Sequence, residues 1–361
     1  MEIYRCFLLP CTSLYDYYKE VMRVIQYIGV LLFFFLVSCE KNDVEPQKTR
    51  TLMVYLAGDN NLSGHMQKNI SSMMSAWKES YNANIVIYFD APNAAPELYT
   101  FRFKGKEVEK QVLKTYEEMD SADPEVLKKI LNEMQDLYPS DSYGLILGSH
   151  ASGWIPSGAS GRSNRMLHAE PVLTRSFGKD YTGSNEMDTR DMAKAIPFNK
   201  ENLEFILFDA CLMSSIEVLY DLRDKAKYVI ASPAELPAPG FPYARVMPYF
   251  WGKGKDLEKD LVKVCDEFWD YYNTYNAANR FGTIALIKMD GMEHLFDLTR
   301  EVLQGKKENV ATIDKNAVYC YPMVEYFKYD RFFDLGEYMK YMTEGREGLY
   351  KEYRDFLDNQ V

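Results

Sequence analysis

From Thr51 onward the apolar positions fall into two kinds of run, and their alternation sets the expected fold. Runs that are apolar throughout read as buried strands: TLMVYLA at 51–57, NIVIYFD at 84–90, YGLILGS at 143–149, EFILFDA at 204–210, YVIAS at 228–232 and TIALIKM at 283–289. Stretches of helical character lie between them. Asp59-Asn60-Asn61 supplies capping chemistry for a helix through about Lys78, and Asp123-Pro124 opens another, to about Tyr138. A helix from about Leu212 to Lys225 follows the fourth apolar run, and amphipathic stretches occupy 255–275 and 291–304. ELYTFRF and EVEKQVLKTY flank Lys104-Gly105 and predict a hairpin. Strands buried on both faces and separated by helices predict an α/β fold, a three-layer α/β/α sandwich around a mostly parallel central sheet. In such sheets ligands sit beyond the carboxyl ends of the strands. The residues just after each strand therefore come first as candidates.

Composition narrows the chemistry. The 361 residues are 47% hydrophobic and 14% aromatic, enough for a large core in one domain or two. Net charge is −11 with no basic block, which excludes a nucleic-acid partner, since phosphate binding wants clustered Lys and Arg. The six cysteines (Cys6, Cys11, Cys39, Cys211, Cys265 and Cys320) form no C-x-x-C pair, and no H-E-x-x-H sequence occurs. Calcium would call for an acidic loop signature; none is present, so no metal or cofactor is assigned. The histidines are His65, His150, His168 and His294, which leaves few candidates for an acid–base role.

The front end reads as a targeting segment. VIQYIGVLLFFFLVS at 24–38 is short for a membrane span and suits a signal-peptide apolar region, with an ordinary membrane anchor as the alternative. It ends in Leu36-Val37-Ser38-Cys39, which resembles a bacterial lipobox, with Cys39 as the lipid-bearing residue. Residues 39–50 are then a polar tether, and 51–361 the folded domain. Residues 1–21 make a poor charged leader, whereas Met22-Arg23 directly precedes the apolar run; Met22 is the expected start and 1–21 a spurious extension. The expected location is the cell envelope, by lipid anchorage to a bacterial membrane, the outer membrane foremost, with exposure at the cell surface as the alternative.

Two strand ends carry chemistry. One ends at Ser149-His150-Ala151-Ser152-Gly153-Trp154 and another at Asp209-Ala210-Cys211-Leu212-Met213. A cysteine nucleophile needs a nearby base or a lowered pKa, because the thiolate is the reactive form. His150 can be that base, and a helix beginning after Cys211 would favour an anion there and offer N–H groups to an oxyanion. Asp209 is two residues before Cys211, on the same strand face, where its charge would oppose ionisation of the thiol. Such a carboxylate needs another purpose, and binding a cationic substrate side chain is one. A cysteine after an apolar strand also suits a plain core position, and a histidine in a Gly/Ser loop a structural one. Ser149 and Ser152 lack the G-x-S-x-G context of a serine nucleophile.

LILGSHASGW at 145–154 and FILFDACLMSSIEV at 205–218 resemble the histidine and cysteine motifs of the clostripain family of cysteine peptidases, in the caspase-like clan with gingipains and legumain. MVYLAGDNNL at 53–62 is similar to the family's first strand and turn, GSNEMDTRDMAKAI at 183–196 to the helix before the cysteine strand, and ASPAELPAPGFPY at 231–243 to the substrate-side loop. The resemblance runs from about Thr51 to the C-terminus. It implies a caspase-like fold and hydrolysis of peptide bonds after Arg or Lys. It implies Cys211 as nucleophile, His150 as general acid–base, backbone N–H groups of Ala151 and Cys211 as the oxyanion hole, and Asp209 in the S1 pocket. The implied partners are proteins or peptides with Arg or Lys at P1. This sequence departs from the family in three places. Ser149-His150-Ala151 stands where the family has Asp-His-Gly, Pro233-Ala234 replaces more polar residues, and the chain stops at FLDNQV, short of a further strand and helix expected in relatives. These departures keep open a catalytically inactive envelope lipoprotein that binds protein on the same fold. Residues 155–187 form a long loop between the motifs. Self-cleavage in this region is a family trait, and Arg162, Arg165, Arg175 and Lys179 are the candidate sites.

Overall fold

The computed structural model describes Lys19, Met22 and residues 50–155, 176–183, 186–253, 255–275, 280–304, 314–321 and 332–360. The chain divides into two compact units, Met1–Gln47 and Lys48–Val361. In the first, Lys19 and Met22 are helical and exposed. The apolar run at 24–38, Cys39, the tether to residue 49, and Arg162, Arg165, His168 and Arg175 lie outside the described residues. Among the described residues no helix is long and apolar enough to cross a membrane.

The second unit carries the fold. Its strands are β1 (Thr51–Ala57), β2 (Asn84–Ala91), β3 (Ala94–Lys104), β4 (Glu107–Thr115), β5 (Tyr143–Gly148), β6 (Ala151–Gly153), β7 (Ser176–Phe177), β8 (Met187–Asp188), β9 (Leu203–Asp209), β10 (Tyr228–Ala231) and β11 (Ala285–Lys288). Its helices are α1 (Ser63–Ala76), α2 (Pro124–Leu137), α3 (Thr189–Ala195), α4 (Ile216–Asp221), α5 (Tyr243–Val246), α6 (Lys255–Asn273), α7 (Met292–Gln304), α8 (Leu335–Met342) and α9 (Glu347–Gln360). Eight strands form one sheet in the order β11-β10-β9-β5-β1-β2-β3-β4, and β6, β7 and β8 form a small second sheet. The five inner strands, β10 to β2, are parallel to one another. The flanking pairs β2–β3, β3–β4 and β10–β11 are antiparallel. The last apolar run thus makes an antiparallel edge strand, reached from β10 through α5 and α6.

Alternation along the strands sorts side chains into two cores, because successive residues point to opposite faces. Met53, Tyr55 and Ala57 of β1 join Leu127, Ile130, Leu131 and Met134 of α2 and Leu295, Leu298 and Val302 of α7. Leu52, Val54 and Leu56 join Met66 and Met73 of α1 and Leu257, Leu261, Val264 and Phe268 of α6. The result is the expected sandwich. Asp123 caps α2, accepting from the Glu125 N–H, with Pro124 in the first turn. Two helix starts differ from expectation. Helix α1 begins at Ser63 behind Leu62, with no side-chain cap. The helix after β9 shrinks to the six residues of α4.

One buried carboxyl stands out in β2. Asp90 is 0% exposed, and both its oxygens are buried without a hydrogen-bond partner, as is the Tyr88 hydroxyl. Burial pushes Asp90 up to about 8, and the charges of Asp180, Glu118 and Asp59 add to it. A carboxyl whose pKa is raised by folding stabilises the native state while it is protonated in both states. That contribution is complete below its unfolded value near 4 and is lost as pH rises through about 8. Chemical denaturation at pH 5 and pH 8 should show a loss on the order of a few kcal/mol. Asp90→Asn should flatten that slope; an unchanged slope would show that Asp90 is not its source.

Candidate active site

The site is built where β5 and β9 end side by side. Gly148 and Asp209 are register partners at the last rungs of these parallel strands. His150 and Cys211 each follow that rung by two residues, so the histidine and the thiol leave the sheet together at its carboxyl edge. Strand β1, on the other side of β5, ends level with them at Leu56↔Gly148. The chain runs from β1 to β2 on one side and reaches β5 on the other, the kind of reversal that opens a crevice beyond the strand ends.

His150 is half-buried, and its Nε2 lies 2.7 Å from the Asn61 Oδ1. Burial pushes its imidazole down to about 4, and the Lys179 charge adds to the effect. The ring is therefore neutral at neutral pH. Cys211 is also half-buried and packs against a small cluster of Ile155, Leu212 and Phe332. Its Sγ accepts a hydrogen bond from the Leu236 N–H at 3.3 Å.

This environment corrects the expected helix dipole at the thiol. After β9 the backbone keeps hydrogen-bonding to the exit of β10, with Leu212 N–H to Ala234 O at 3.0 Å and Ser214 N–H to Ser232 O at 3.1 Å. The helix waits until Ile216, and a neighbouring loop amide serves the sulfur instead. Leu212 takes a left-handed conformation, φ +65°, directly after the cysteine. A bulky residue there is an outlier of the kind found at functional sites. Gly153 makes it possible: a Cβ on Gly153 would sit 2.6 Å from the Leu212 carbonyl oxygen. Ala151 begins β6 and is not among the described residues with positive φ, so its backbone does not require glycine.

β9 ends at Asp209, so the two-residue periodicity that would put Asp209 and Cys211 on one face does not extend to Cys211. Its Oδ2 accepts from the Tyr243 hydroxyl at 2.9 Å and from the Asn69 Nδ2 at 3.4 Å. Gly240, at φ +71°, lies flat against the carboxylate, and a Cβ there would be 2.5 Å from either oxygen. Burial pushes Asp209 up to about 6, offset in part by the Tyr243 hydroxyl and the Phe241 N–H.

The segment before β8 docks over the ends of β1 and β5. Ser149 is buried; its hydroxyl donates to Ala57 O at 2.8 Å and accepts from Lys179 N–H at 3.2 Å. The Asn60 amide donates to Ala57 O and to Lys179 O, at 2.9 and 2.8 Å. Asp59 is not a helix cap: its Oδ2 accepts from the N–H and hydroxyl of Thr182, at 3.1 and 3.0 Å. Asp180 ties the same segment to Ser121. Of the four candidate cleavage residues, Lys179 is the described one, and its charge acts on His150. Ser152 donates to Ile155 O at 2.9 Å. His294 stacks edge-on against Phe356, away from this chemistry. Asn61, Leu236, Tyr243 and Asn69 were not singled out by sequence; only the Asn-rich turn hinted at the first.

The family model of the clostripain family matches residues 54–360. The chain belongs to that family. It is 29% identical to clostripain from Hathewaya histolytica over 254 residues, which cover 63% of this chain and 47% of that protein, so it spans about half the curated relative's length. An inactive zymogen C11 protease from Parabacteroides distasonis superposes with a TM-score of 0.71 at 31% identity, covering 86% of this chain and 82% of that one. A secreted C11 cysteine protease from Bacteroides thetaiotaomicron, solved with an irreversible peptide inhibitor, gives a TM-score of 0.71 at 28% identity, with 87% and 83% covered. The fold is that of the C11 proteases.

The contact between Gly240 and Asp209 is testable as a coupling. Gly240→Ala combines an unfavourable φ with a clash and should cost about 2–4 kcal/mol by denaturant unfolding. In an Asp209→Ala background the clash is gone, and the cost should fall by at least about 0.5 kcal/mol. Simple additivity would show that the carboxylate does not hold this loop.

Proposed function

We propose that this chain is a cysteine endopeptidase that hydrolyses peptide bonds after Arg or Lys. The observation that carries it is the shared exit of His150 and Cys211 from neighbouring strands of a clostripain-family fold. In this reading the Cys211 thiol passes its proton to the neutral His150 as sulfur attacks the scissile carbonyl. The N–H groups of Ala151 and Cys211 receive the oxyanion. His150 then gives the proton to the leaving amine as the C–N bond breaks, which leaves a thioester. Water, deprotonated by His150, attacks that thioester, and the proton returns to the departing thiolate. No step is assigned to a metal or cofactor.

Asp209 is assigned to S1. Held between Tyr243 and Gly240, it offers a carboxylate to the cationic P1 side chain. The charge is present above about pH 6 and is lost below it. Processing is assigned to the loop carrying Arg162, Arg165, Arg175 and Lys179. Lys179 is favoured because its charge already acts on His150, and the likeness to a protein described as a zymogen supports activation of this kind. Envelope attachment through lipid on Cys39 rests on the sequence before Thr51.

Two measurements test these assignments. Peptides with P1 Arg, Lys, Asp or Leu should show thiol-dependent turnover of the first two alone, abolished in Cys211→Ala; turnover of none would end the enzyme reading. For P1 Arg, kcat/KM should fall as pH drops through about 6, and Asp209→Asn should remove both that limb and about 100-fold of the preference for Arg over Leu. A retained preference would move the S1 acid elsewhere. On a denaturing gel, wild type should give two fragments with a new N-terminus at Asp180, and Lys179→Ala should stay whole; cleavage unaffected by Cys211→Ala would exclude self-processing.

A further inference from the structure

Nothing in the dyad reading explains what holds His150. We propose that Asn61 is a positioning residue that fixes the tautomer and orientation of the His150 ring, so that the site works as a Cys211–His150–Asn61 relay. This inference rests on the dyad assignment above and adds a third member to it.

The geometry is direct. The His150 Nε2 and the Asn61 Oδ1 are 2.7 Å apart, a short hydrogen bond between elements that are 89 residues apart in sequence. Asn61 is held by what surrounds it. Strand β1, the neighbour of β5, delivers the turn to the same carboxyl edge as His150. Asn60 then locks that turn on both sides of Asn61. Its backbone N–H donates to Gly58 O at 2.7 Å, and its Oδ1 accepts from Leu62 N–H at 2.9 Å. Its Nδ2 anchors to Ala57 O and Lys179 O. Asn61 itself is exposed and makes no contribution to either core. Its described side-chain hydrogen bond is the one to the imidazole.

An amide oxygen can only accept, so this contact places the ring proton on Nε2. Nδ1 is then the basic nitrogen, the one that takes the Cys211 proton and later hands it to the leaving amine. When Nδ1 is protonated, the Nε2–H bond to Asn61 becomes charge-assisted and strengthens, which steadies the imidazolium in transit. A neutral amide does this without holding the ring permanently charged, as a carboxylate would. Asn61 touches neither substrate nor sulfur in this scheme; it acts through His150.

The test uses the full chain and three variants. Asn61→Ala should lower kcat for a P1 Arg peptide by about 10- to 100-fold, with KM changed less than about two-fold and the melting temperature unchanged. Asn61→Asp keeps an acceptor and adds charge; it should recover most of kcat and shift the His150 limb of the pH profile upward by about one unit. Asn61→Leu should match Asn61→Ala. Nitrogen-15 shifts of the His150 ring should report a proton on Nε2 in wild type, and a mixture of tautomers in Asn61→Ala. Wild-type kcat and pH profile in Asn61→Ala, or a ring proton on Nδ1, would overturn the inference. His150→Ala and Cys211→Ala are run alongside. If those keep turnover, the dyad itself is wrong; if they are inactive while Asn61→Ala is not, only the role of Asn61 falls.

Discussion

Backbone pairing between β5 and β9 is the constraint on which the proposed chemistry depends. Parallel strands in register bring two sequence positions 61 residues apart to one edge of the sheet, and they do so with main-chain hydrogen bonds rather than with the reacting side chains. His150 and Cys211 add nothing to that pairing, because both stand beyond the last rung. They are free to be chosen for reactivity. The same holds for β1, which lies against β5 and sends its Asn-rich turn to the same edge. Side chains packed on both faces keep these strands rigid, with β1 wholly buried along its length.

Burial acts on the two titrating groups of the site in opposite senses. It disfavours the charged form of each, so it lowers the histidine to about 4 and raises the carboxylic acid to about 6. Both are nonetheless in a useful state at neutral pH: the imidazole is neutral and able to accept a proton, and Asp209 is ionised. Tyr243 and the Phe241 N–H limit how far Asp209 rises. Without them, the same burial would raise Asp209 further and leave it less able to carry a charge at neutral pH.

The segment around Lys179 shares its supports with the catalytic loops. Asp59, Asn60 and Ser149 each bond to it, and Asn60 and Ser149 directly precede Asn61 and His150. The strained Leu212 and the close contact from Gly153 put similar demands on the other side of the thiol. Precision at this edge comes from loops braced against one another, where strain can be tolerated because the sheet beneath is over-determined.

Sequence by itself determined the sandwich and the strands of its main sheet, and it nominated the two residues of the proposed dyad. Each apolar run of β1, β5 and β9 has a single buried solution, and the rule that ligands gather at strand ends then points to His150 and Cys211. It also marked Asp209, through the cost of an acid near a thiol. It erred where local preference met tertiary competition. Asp59 and Asn60 read as helix caps, yet their side chains are taken by a segment more than a hundred residues away. The turn after Cys211 reads as a helix start, yet its amides are taken by the exit of β10. Hydrogen-bonding side chains have several local uses and no sequence signal for which partner arrives. Only the tertiary structure could decide that Asn61 meets the histidine and that Leu236 meets the sulfur. Both contacts join loops that are distant in sequence, and distance in sequence carries no periodicity to read.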